Sequence, residues 1–572
     1  PTIAVATDGG VSVIKDNGTV VDITYTSYTG SHQVKFLPSG GIIYSTDQNT
    51  NQRWIHVDHS LPSADLAKAD VGYKGALDDE MYHLVNTSTY AGQDMKLRIM
   101  DSASGFIVDN SGDVVLGASN VATGGLGFIS RNPSNPSEGL TCDITSSHNT
   151  GWMHGDIKLA TLSDTDTTNA VSANMASNGN FADTSVWGPA NGASLSVSGN
   201  VGTITANGST TQAYIGQTVT GLTVGKQYMI TCDAKRGTTS AQAAITVNGI
   251  LSAATTSTSF DPLHVTFTAT ATSQLVLCFL NGTGSQSGTA LFQNFTFRLA
   301  EADRSWNGAS PNGGNALQVY GTVTKTAVAT GAELVAYSGF SSSSNLLKQP
   351  NNSNLDIGSD DFCVTLWTKI TSLSSTQMLW SLANPTVNNN RTAMYVLANG
   401  DARFFLRQSS AEDMASSGAG GIVINNWTHV CVMRKGNTLY IYINGEMKAS
   451  VATSKDITQV GKELKIGADW DGSVNANASS LALFRFSATA PSEEQIAKMY
   501  NDEKHLFQEN AKATLYGTSN AVTALAYDDD KELLHVGTSA GRSEFQGLNR
   551  VNNTTDAVGT AISASNGFIV ED

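Results

Sequence analysis

Two short segments bring histidine and aspartate close enough along the chain to suggest metal or acid–base chemistry. Their titratable residues are His56, Asp58 and His59 in HVDHS, and His148, His154 and Asp156 in SSHNTGWMHGD. Successive side chains of a strand point to opposite faces, so His56 and Asp58 share one face while His59 takes the other. Because zinc needs convergent ligands, we expect both segments to have structural roles at the ends of sheets.

Other catalytic patterns are weaker still. The acidic run Asp528–Asp530 lies between two predicted strands, where aspartates cap turns and stay solvated. Glycosidases need two carboxylates about 5–10 Å apart, a separation that spacing across sheets does not reveal. No serine nucleophile elbow, phosphate-binding loop or dinucleotide fingerprint occurs in a suitable context. We therefore predict no catalytic residues and no enzymatic activity.

Composition indicates how such residues are positioned. The 572 residues are 40% hydrophobic and only 14% charged, with 54 glycines and 11 prolines. Short apolar runs separated by polar turns are typical of an all-β protein. Because a single core stops growing near about 250–300 residues, we expect three or more folding units.

Charge and cysteine usage exclude several classes. The net charge is −16, and no basic cluster could neutralise a phosphate backbone, so nucleic-acid binding is disfavoured. No run approaches the roughly 20 apolar residues of a membrane span. The start, PTIAVATDGG, lacks the regions of a signal peptide, so we expect synthesis in the cytoplasm. The five scattered cysteines suggest buried thiols rather than disulfides or a zinc site.

Repeats link the two ends of the chain. IAVATDGGVSVI at 3–14 aligns with LHVGTSAGRSEF at 534–545, and GFIVD at 105–109 returns as GFIVED at the C-terminus. Closing a ring of sheets with strands from both ends removes exposed edges. At about 40–50 residues per blade, we predict a β-propeller of about five blades from residues 1–165 and 510–572. The strand at Phe568–Val570 should then pair with, or lie beside, Ile3–Ala6. The repeats resemble the V-x-x-L-x-x-D-x-x-x-x-L-x-V-G-T-x-x-G blades of sensor and virion proteins.

The middle of the chain is predicted to be two inserted β-sandwiches. In the first, at 170–301, NMASNGNFADTSVWG, LTVGKQYMITCDAKRG and TALFQNFTFRLAE occur in order. This segment resembles carbohydrate-binding jelly rolls, which implies aromatic side chains that stack on sugars and sometimes calcium. Trp187 is the candidate sugar-binding residue, and a core tryptophan closing one end of the sandwich is the open alternative.

After a linker at 302–315 comes the second sandwich, at 316–505. WTHVCVMRKGNTLYIYINGE predicts an antiparallel hairpin with turns at Gly436–Asn437 and Asn444–Gly445. SEEQIAKMY predicts a helix capped by Ser492, with Gln495 three residues on. The segment resembles laminin G (LamG) or concanavalin A-like lectin domains.

Some domains of this lectin type bind calcium and sugars at loop ends. In such a loop Trp470 is a candidate sugar-binding residue, and the flanking Asp469 and Asp471 are candidate calcium ligands. Calcium takes six to eight oxygen ligands and only two are visible here. We therefore expect no obligatory cofactor, with Ca²⁺ as the one candidate.

The combination of modules is similar to LamG-containing tail proteins of tailed bacteriophages. Gly321–Phe340 and Leu533–Leu548 have recognisable counterparts there. The resemblance implies a virion component of the tail or an appendage that is assembled in the host cytoplasm. It would form a homo-oligomer and would bind other tail proteins of the virion. Its lectin-like domains would bind host-surface glycans during adsorption. A purely structural tail protein, whose sandwiches pack against other subunits, and a polysaccharide depolymerase are the alternatives.

Overall fold

The structure is a computed structural model. It describes residues 2–7, 9–25, 30–37, 40–48, 52–58, 60–68, 80–84, 103–108, 113–118, 124–132, 138–209, 212–252, 254–305, 316–341, 344–459, 461–555, 564–565 and 568–569. Strands make up nearly all of the regular structure, and one α-helix is found in this part of the chain. The described residues contain no helix with the length and hydrophobicity that a membrane span requires.

The N-terminal part consists of short strands. They are β1 (Ile3–Thr7), β2 (Gly10–Ile14), β3 (Val20–Tyr25), β4 (Gly30–Phe36), β5 (Ile42–Gln48), β6 (Gln52–Asp58), β7 (Leu66–Lys68), β8 (Glu80–Leu84), β9 (Ala103–Val108), β10 (Val114–Ala118), β11 (Gly125–Ser130), β12 (Leu140–Ile144) and β13 (Met153–His154).

These strands form three sheets, ordered β1-β2-β3-β7, β4-β5-β6-β8 and β9-β10-β11-β12-β13. All pairs are antiparallel except β3 with β7. On β2 and β3 the alternate residues Val11, Val13, Val21 and Ile23 are buried, as the period-two pattern predicts. At Gly10 a Cβ would lie 1.9 Å from the Ile23 carbonyl oxygen, so the start of β2 requires glycine.

The first sandwich is a jelly roll of two facing sheets. Its strands and the two that precede it are β14 (Ile157–Thr161), β15 (Ala170–Ser172), β16 (Gly188–Ala190), β17 (Ala193–Ser198), β18 (Val201–Asn207), β19 (Tyr214–Thr220), β20 (Gln227–Arg236), β21 (Gln242–Val247), β22 (Ile250–Leu251), β23 (Asp261–Thr268), β24 (Ser273–Asn281) and β25 (Ser287–Glu301). One sheet has the order β16-β19-β24-β21-β22, and the other runs β17-β18-β25-β20-β23. Between them lies a core of aliphatic and aromatic side chains.

The second sandwich has longer strands and the helix. Its elements are β26 (Leu317–Ala327), β27 (Val335–Ser338), β28 (Leu346–Gln349), a 3-10 turn (Ser353–Leu355), β29 (Phe362–Ile370), β30 (Gln377–Ala383), β31 (Arg391–Val396), β32 (Ala402–Gln408), β33 (Ala411–Ser416), β34 (Trp427–Lys435), β35 (Thr438–Ile443), β36 (Glu446–Ala452), β37 (Glu463–Ile466), β38 (Ser479–Ser487), α1 (Glu493–Glu503) and a 3-10 helix (Lys504–Phe507).

Its two sheets enclose the largest core of the protein. One contains β38-β29-β34-β35-β36, and the other contains β28-β37-β30-β31-β32-β33. The predicted hairpin is confirmed by the pairing of β34 with β35. The predicted cap is confirmed because Gln495 N donates to Ser492 Oγ at 3.2 Å and Ser492 N donates to Gln495 Oε1 at 2.9 Å.

The modules share strand pairs that the predicted boundaries do not anticipate. β14, which we assigned to the propeller, pairs with β38 of the second sandwich. β26 pairs with β15 and with the end of β25, so both sandwiches belong to one hydrogen-bonded series of strands. Of the predicted linker 302–315, residues 306–315 lie outside the described residues.

The C-terminal part of the chain packs against the N-terminal part. Its strands are β39 (Val522–Asp528), β40 (Leu533–Thr538), β41 (Gly541–Gln546), β42 (Asn549–Thr554), β43 (Ala564–Ser565) and β44 (Phe568–Ile569). The sheet β39-β40-β41-β42 shares a core with the sheet of β9 to β13. A Cβ on Gly117 would lie 2.6 Å from Val522 Cγ1, which shows how closely the two sheets approach. Sheets from the N-terminal and C-terminal parts thus share one core.

The terminal contact differs from the prediction. β44 pairs with β43, with Phe568 opposite Ser565, while β1 pairs with β2. No pairing of Phe568–Ile569 with Ile3–Ala6 is found among the described residues, and Val570 lies outside them. The same residues contain four sheets of four or five strands in the two terminal parts, so five blades are not all seen.

Candidate functional site

Trp187 lies in the core of the jelly roll. Its side chain is 2% exposed, its ring stacks on Phe181 with centroids 5.1 Å apart, and Phe295 meets it edge-on at 5.0 Å. The indole N–H donates to the Asn178 carbonyl oxygen at 3.1 Å. Because both faces are covered by protein, the ring cannot stack on a sugar. The structure favours the core role and corrects the prediction of a sugar-binding Trp187.

Trp470 is partly buried in the loop that follows β37. The Arg391 guanidinium lies 5.9 Å from its ring centroid, and its backbone N–H donates to Asp469 Oδ1 at 2.7 Å. The loop is closed by the 2.8 Å bond from Asp469 N to the Val474 carbonyl oxygen. The sequence placed Trp470 correctly in a loop, and the structure adds a cation against the ring.

The predicted calcium ligands do not fit a calcium ion. Asp469 is 7% exposed and Arg391 Nη1 lies 3.0 Å from its Oδ1, so a cation of the protein already holds this carboxylate. Burial raises the pKa of Asp469, although Arg391 opposes the rise. Asp471 is exposed and accepts from Ser473 N at 2.9 Å. In the part of the chain that the structure describes, no three His, Cys, Asp or Glu side chains are grouped to hold a metal.

The described histidines and aspartates of the two segments contact neighbouring side chains of the protein. His56 is buried and stacks on Tyr44 at 5.1 Å, and Tyr44 Oη lies 3.4 Å from Asp58 Oδ2. His154 Nδ1 lies 3.0 Å from Thr489 Oγ1, and burial and then Lys435 lower its pKa to about 4. The remaining contacts are Thr145 Oγ1 to His148 Nδ1 at 2.9 Å and Lys158 to Asp156 at 3.0 Å. His59 lies outside the described residues.

The cysteines are all free and buried, as predicted. Cys363 and Cys431 on β29 and β34 approach most closely, with 3.4 Å between their sulfur atoms. The acidic run Asp528–Asp530 forms a turn after β39, in which Asp528 accepts from the backbone N–H groups of Asp530 and Lys531.

An aromatic depression of about 700 Å³ lies on the face of the second sandwich that α1 covers. We use this name for the surface lined by Ala327, Val328, Ala329, Thr330, Gly331, Trp367, Lys369, Asn425, Asn426, Trp427, Tyr500, Lys504, Phe507 and Glu509. Trp367 and Phe507 form its floor and are nearly fully buried, whereas Trp427 and Tyr500 are partly exposed at its rim.

The aromatic rings hold each other in place. Trp367 stacks on Phe507 with centroids 4.3 Å apart and on Tyr500 at 5.9 Å, and Trp427 lies 4.8 Å from Phe507. Both indoles donate, Trp427 to the Val328 carbonyl oxygen at 2.8 Å and Trp367 to Glu503 Oε2 at 2.7 Å. Because the rings are already fixed, binding of a ligand to such a surface costs little side-chain conformational entropy.

Sheet register and the helix bring these residues together. Trp367 and Lys369 are two apart on β29, and their cross-strand partners on β34 are His429 and Trp427. All four therefore lie on one face of the sheet. Tyr500 comes from α1, which sits close to the β35–β36 turn because a Cβ on Gly445 would already lie 3.3 Å from Tyr500 Cβ.

Polar groups surround the rings. The amides of Asn425 and Asn426 are exposed beside Trp427, and among the described residues their side chains have no hydrogen-bond partner. Lys369 and Lys504 flank the depression from β29 and from the 3-10 helix. Aromatic faces next to amide donors and acceptors are the elements that sugar sites combine.

His429 should make the sandwich less stable in acid. It is fully buried beside Trp367, both ring nitrogens lack a partner among the described residues, and burial, with a smaller effect of Arg485, lowers its pKa to about 3. Because the unfolded histidine takes up a proton near pH 6.5, stability falls as pH falls below that value, by about 2 kcal/mol between pH 7 and pH 5.

Urea midpoints at several pH values test this expectation. The variant His429→Gln should lose that part of the pH dependence, and the exposed control His505→Gln should keep it. An unchanged pH dependence in His429→Gln would contradict a buried neutral histidine.

Only part of this site is predictable from the sequence. Trp427 stood in the motif that predicted the hairpin, and its exposed neighbours Asn425 and Asn426 before an apolar strand were a usable signal. Tyr500 lies on α1 and Phe507 on the 3-10 helix after it, both beyond the last strand of the sandwich. Their spacing in the sequence does not indicate that they pack near Trp427.

Comparisons with known proteins identify the type of the second sandwich. Residues 341–497 match the laminin G model described as the concanavalin A-like lectin/glucanases superfamily. The second sandwich is a LamG/concanavalin A-like lectin domain. Five of the fourteen residues that line the depression lie within the matched range: Trp367, Lys369, Asn425, Asn426 and Trp427. A search of curated proteins finds no match.

Solved structures similar to this chain include lectin-like and binding domains. The Ruminococcus gnavus IT-sialidase CBM40 is 15% identical and aligns over 25% of this chain and 84% of its own, with a TM-score of 0.23. A pentraxin from Limulus polyphemus is 20% identical over 29% and 81%, with a TM-score of 0.23. The botulinum neurotoxin serotype G binding domain is 11% identical over 47% and 68%, with a TM-score of 0.27.

Proposed function

We propose that this protein binds glycans through its LamG domain and that the aromatic depression is the binding site. The carrying observation is the partly exposed pair Trp427 and Tyr500, held over a packed aromatic floor beside the unengaged amides of Asn425 and Asn426. A pyranose ring presents an apolar face of C–H groups to such rings, and its hydroxyls bond to amides at the rim.

In this proposal the protein is a bacteriophage virion component of the tail or an appendage, assembled in the host cytoplasm as a homo-oligomer. The support is the resemblance of Gly321–Phe340 and Leu533–Leu548 to phage tail proteins, together with the LamG domain. Each site would be weak, with stacking worth about 1 kcal/mol beyond area burial. Several copies on one particle would raise the avidity a hundredfold or more.

The terminal parts would form the split propeller that docks this module to the virion. The common core of the β9–β13 and β39–β42 sheets supports that proposal, since it joins sheets from the N-terminal and C-terminal parts of the chain. We propose no catalytic step, and shortening of a host polysaccharide by the purified protein would overturn that part of the proposal.

A purely structural role has one observation in its favour. Val423 and Ile424, on the loop before Asn425, are 55% and 44% exposed, and neighbouring exposed aliphatic residues are typical of protein contacts. In that case the depression would be covered in the assembled particle.

Substitution of Trp427 separates the two roles. On an array of bacterial surface glycans, Trp427→Ala should lose its signals, since removing a stacking indole at a weak site costs about tenfold or more in affinity. Trp470→Ala removes a tryptophan that the sequence suggested as a sugar-binding residue, and this variant should bind like the wild type. Wild-type protein that binds no glycan, or Trp427→Ala that retains every signal, would contradict the proposal and favour the structural role.

A further inference from the structure

We infer that the aromatic depression takes an acidic saccharide, one whose sugar carries a carboxylate group. This inference rests on the proposed function and adds the ligand class. It follows from two lysines, Lys369 and Lys504, that line the depression without an anionic partner among the described residues.

Lys369 lies next to the exposed tryptophan. It is the cross-strand neighbour of Trp427 in the pairing of β29 with β34, so both side chains emerge on the same face of the sheet. Lys369 is a half-buried residue that lines the depression and forms no ion pair with any described carboxylate. A ligand stacked on Trp427 would therefore lie within reach of this charge.

Lys504 lines the depression beside Tyr500. Its Nζ lies 5.4 Å from the centroid of the Tyr500 ring and donates to Asn501 Oδ1 at 2.9 Å. The asparagine is a neutral acceptor, so the positive charge is not compensated. The two rim aromatics, Trp427 and Tyr500, thus each have a lysine beside them.

Ion pairing with a carboxylate is common among the other lysines of the chain. The protein has 33 lysines and arginines against 49 aspartates and glutamates. Several buried or half-buried lysines elsewhere lie beside carboxylates, for example Lys325 with Asp164 at 2.7 Å and Lys348 with Glu463 at 3.0 Å, whereas Lys465 donates to the Trp470 carbonyl oxygen. The depression brings two lysines that form no ion pair among the described residues to one aromatic surface.

The local charge favours an anion. Glu509 is the one carboxylate among the lining residues, so the formal charge of the lining is +1 against −16 for the whole chain. Glu503, just behind the floor, is neutralised by Arg485. Charges farther away are screened over about 8 Å at physiological ionic strength, so the lining dominates at contact.

Lysine also suits this type of ligand. Its ammonium group is a mobile point charge with three donors, in contrast to the planar fork of arginine. Two lysines around stacked rings would select for the presence of a carboxylate on the sugar and would tolerate variation in its position. We expect binding to weaken with salt, as exposed charge pairs do.

The test uses the same glycan array, read at low and high ionic strength. Acidic glycans should give the strongest signals and lose them at high salt. The double variant Lys369→Gln/Lys504→Gln should bind them about tenfold more weakly, since two partly exposed pairs are lost. The exposed lysine variant Lys531→Gln is the matched control and should bind normally.

Calorimetry with the strongest acidic hit and with its uncharged carboxyl methyl ester completes the test. The wild type should prefer the acid, and the double variant should bind both equally. If the strongest hits are neutral, or the double variant keeps its preference for the acid, the inference is wrong while the proposed function stands. If the wild type binds no glycan, the proposed function itself fails. Unchanged melting temperatures show that the variants are folded.

Discussion

Replacing Glu503 with glutamine is expected to lower the free energy of unfolding by about 3–5 kcal/mol, because it leaves the buried Arg485 guanidinium without a counter-charge. Glu503 has no exposed surface and Arg485 is 2% exposed. The carboxylate forms an ion pair with Arg485 and accepts from Trp367 Nε1 at 2.7 Å and from Trp152 N at 2.8 Å. One side chain therefore serves three partners.

Those partners belong to different parts of the chain. Trp152 belongs to the N-terminal part of the chain. Trp367 and Arg485 lie in one sheet of the LamG domain, and Glu503 is the last residue of α1. Arg485 Nη1 also donates to the Trp152 carbonyl oxygen at 3.0 Å. The loss of one charge should thus loosen the junction between the terminal part and the lectin domain as well as the helix.

Guanidinium chloride unfolding followed by tryptophan fluorescence measures this effect. The control is Glu494→Gln, an exposed carboxylate in the first turn of the same helix, which should shift the unfolding midpoint far less. Equal midpoints for Glu503→Gln and Glu494→Gln would contradict a buried network at the junction.

The second large effect is expected at Trp187. Trp187→Ala should destabilise the jelly roll by about 3–5 kcal/mol, as large-to-small changes of a buried tryptophan do. The variant removes the stack on Phe181 and the edge contact with Phe295, and it leaves the Asn178 carbonyl oxygen without its indole donor.

Glycan binding by the folded Trp187→Ala protein should be unchanged, because the ring is covered. Trp187→Phe keeps part of the aromatic volume and should lose less stability. The measurement pairs thermal unfolding with the glycan array. A stable Trp187→Ala protein with weakened glycan binding would contradict the core position and restore the role that the sequence suggested.

Local signals in the sequence were reliable where the structure is local. The capping residues Ser492 and Gln495 are three apart, and the β34–β35 hairpin turns at Gly436, so short-range geometry determines both. The all-β class follows from the same period-two patterns.

Site residues depended on contacts between distant segments. The sequence suggests Asp469 as a calcium ligand. The structure shows that its carboxylate pairs with Arg391, which is far away in the sequence. Trp187 follows Val186 and Trp427 follows Asn426, yet only the packing of the sheets decides that the first is buried and the second reaches the surface. The pairing of β14 with β38 likewise joins a segment that precedes the first sandwich to the last strand of the second.

The most direct test of the central claim is a crystal structure of the protein with its strongest glycan hit. We predict a sugar ring stacked on Trp427 or Tyr500 within the aromatic depression, with hydroxyls bonded to Asn425 or Asn426. A sugar bound at the Trp470 loop or on the jelly roll, with the depression empty, would contradict the account.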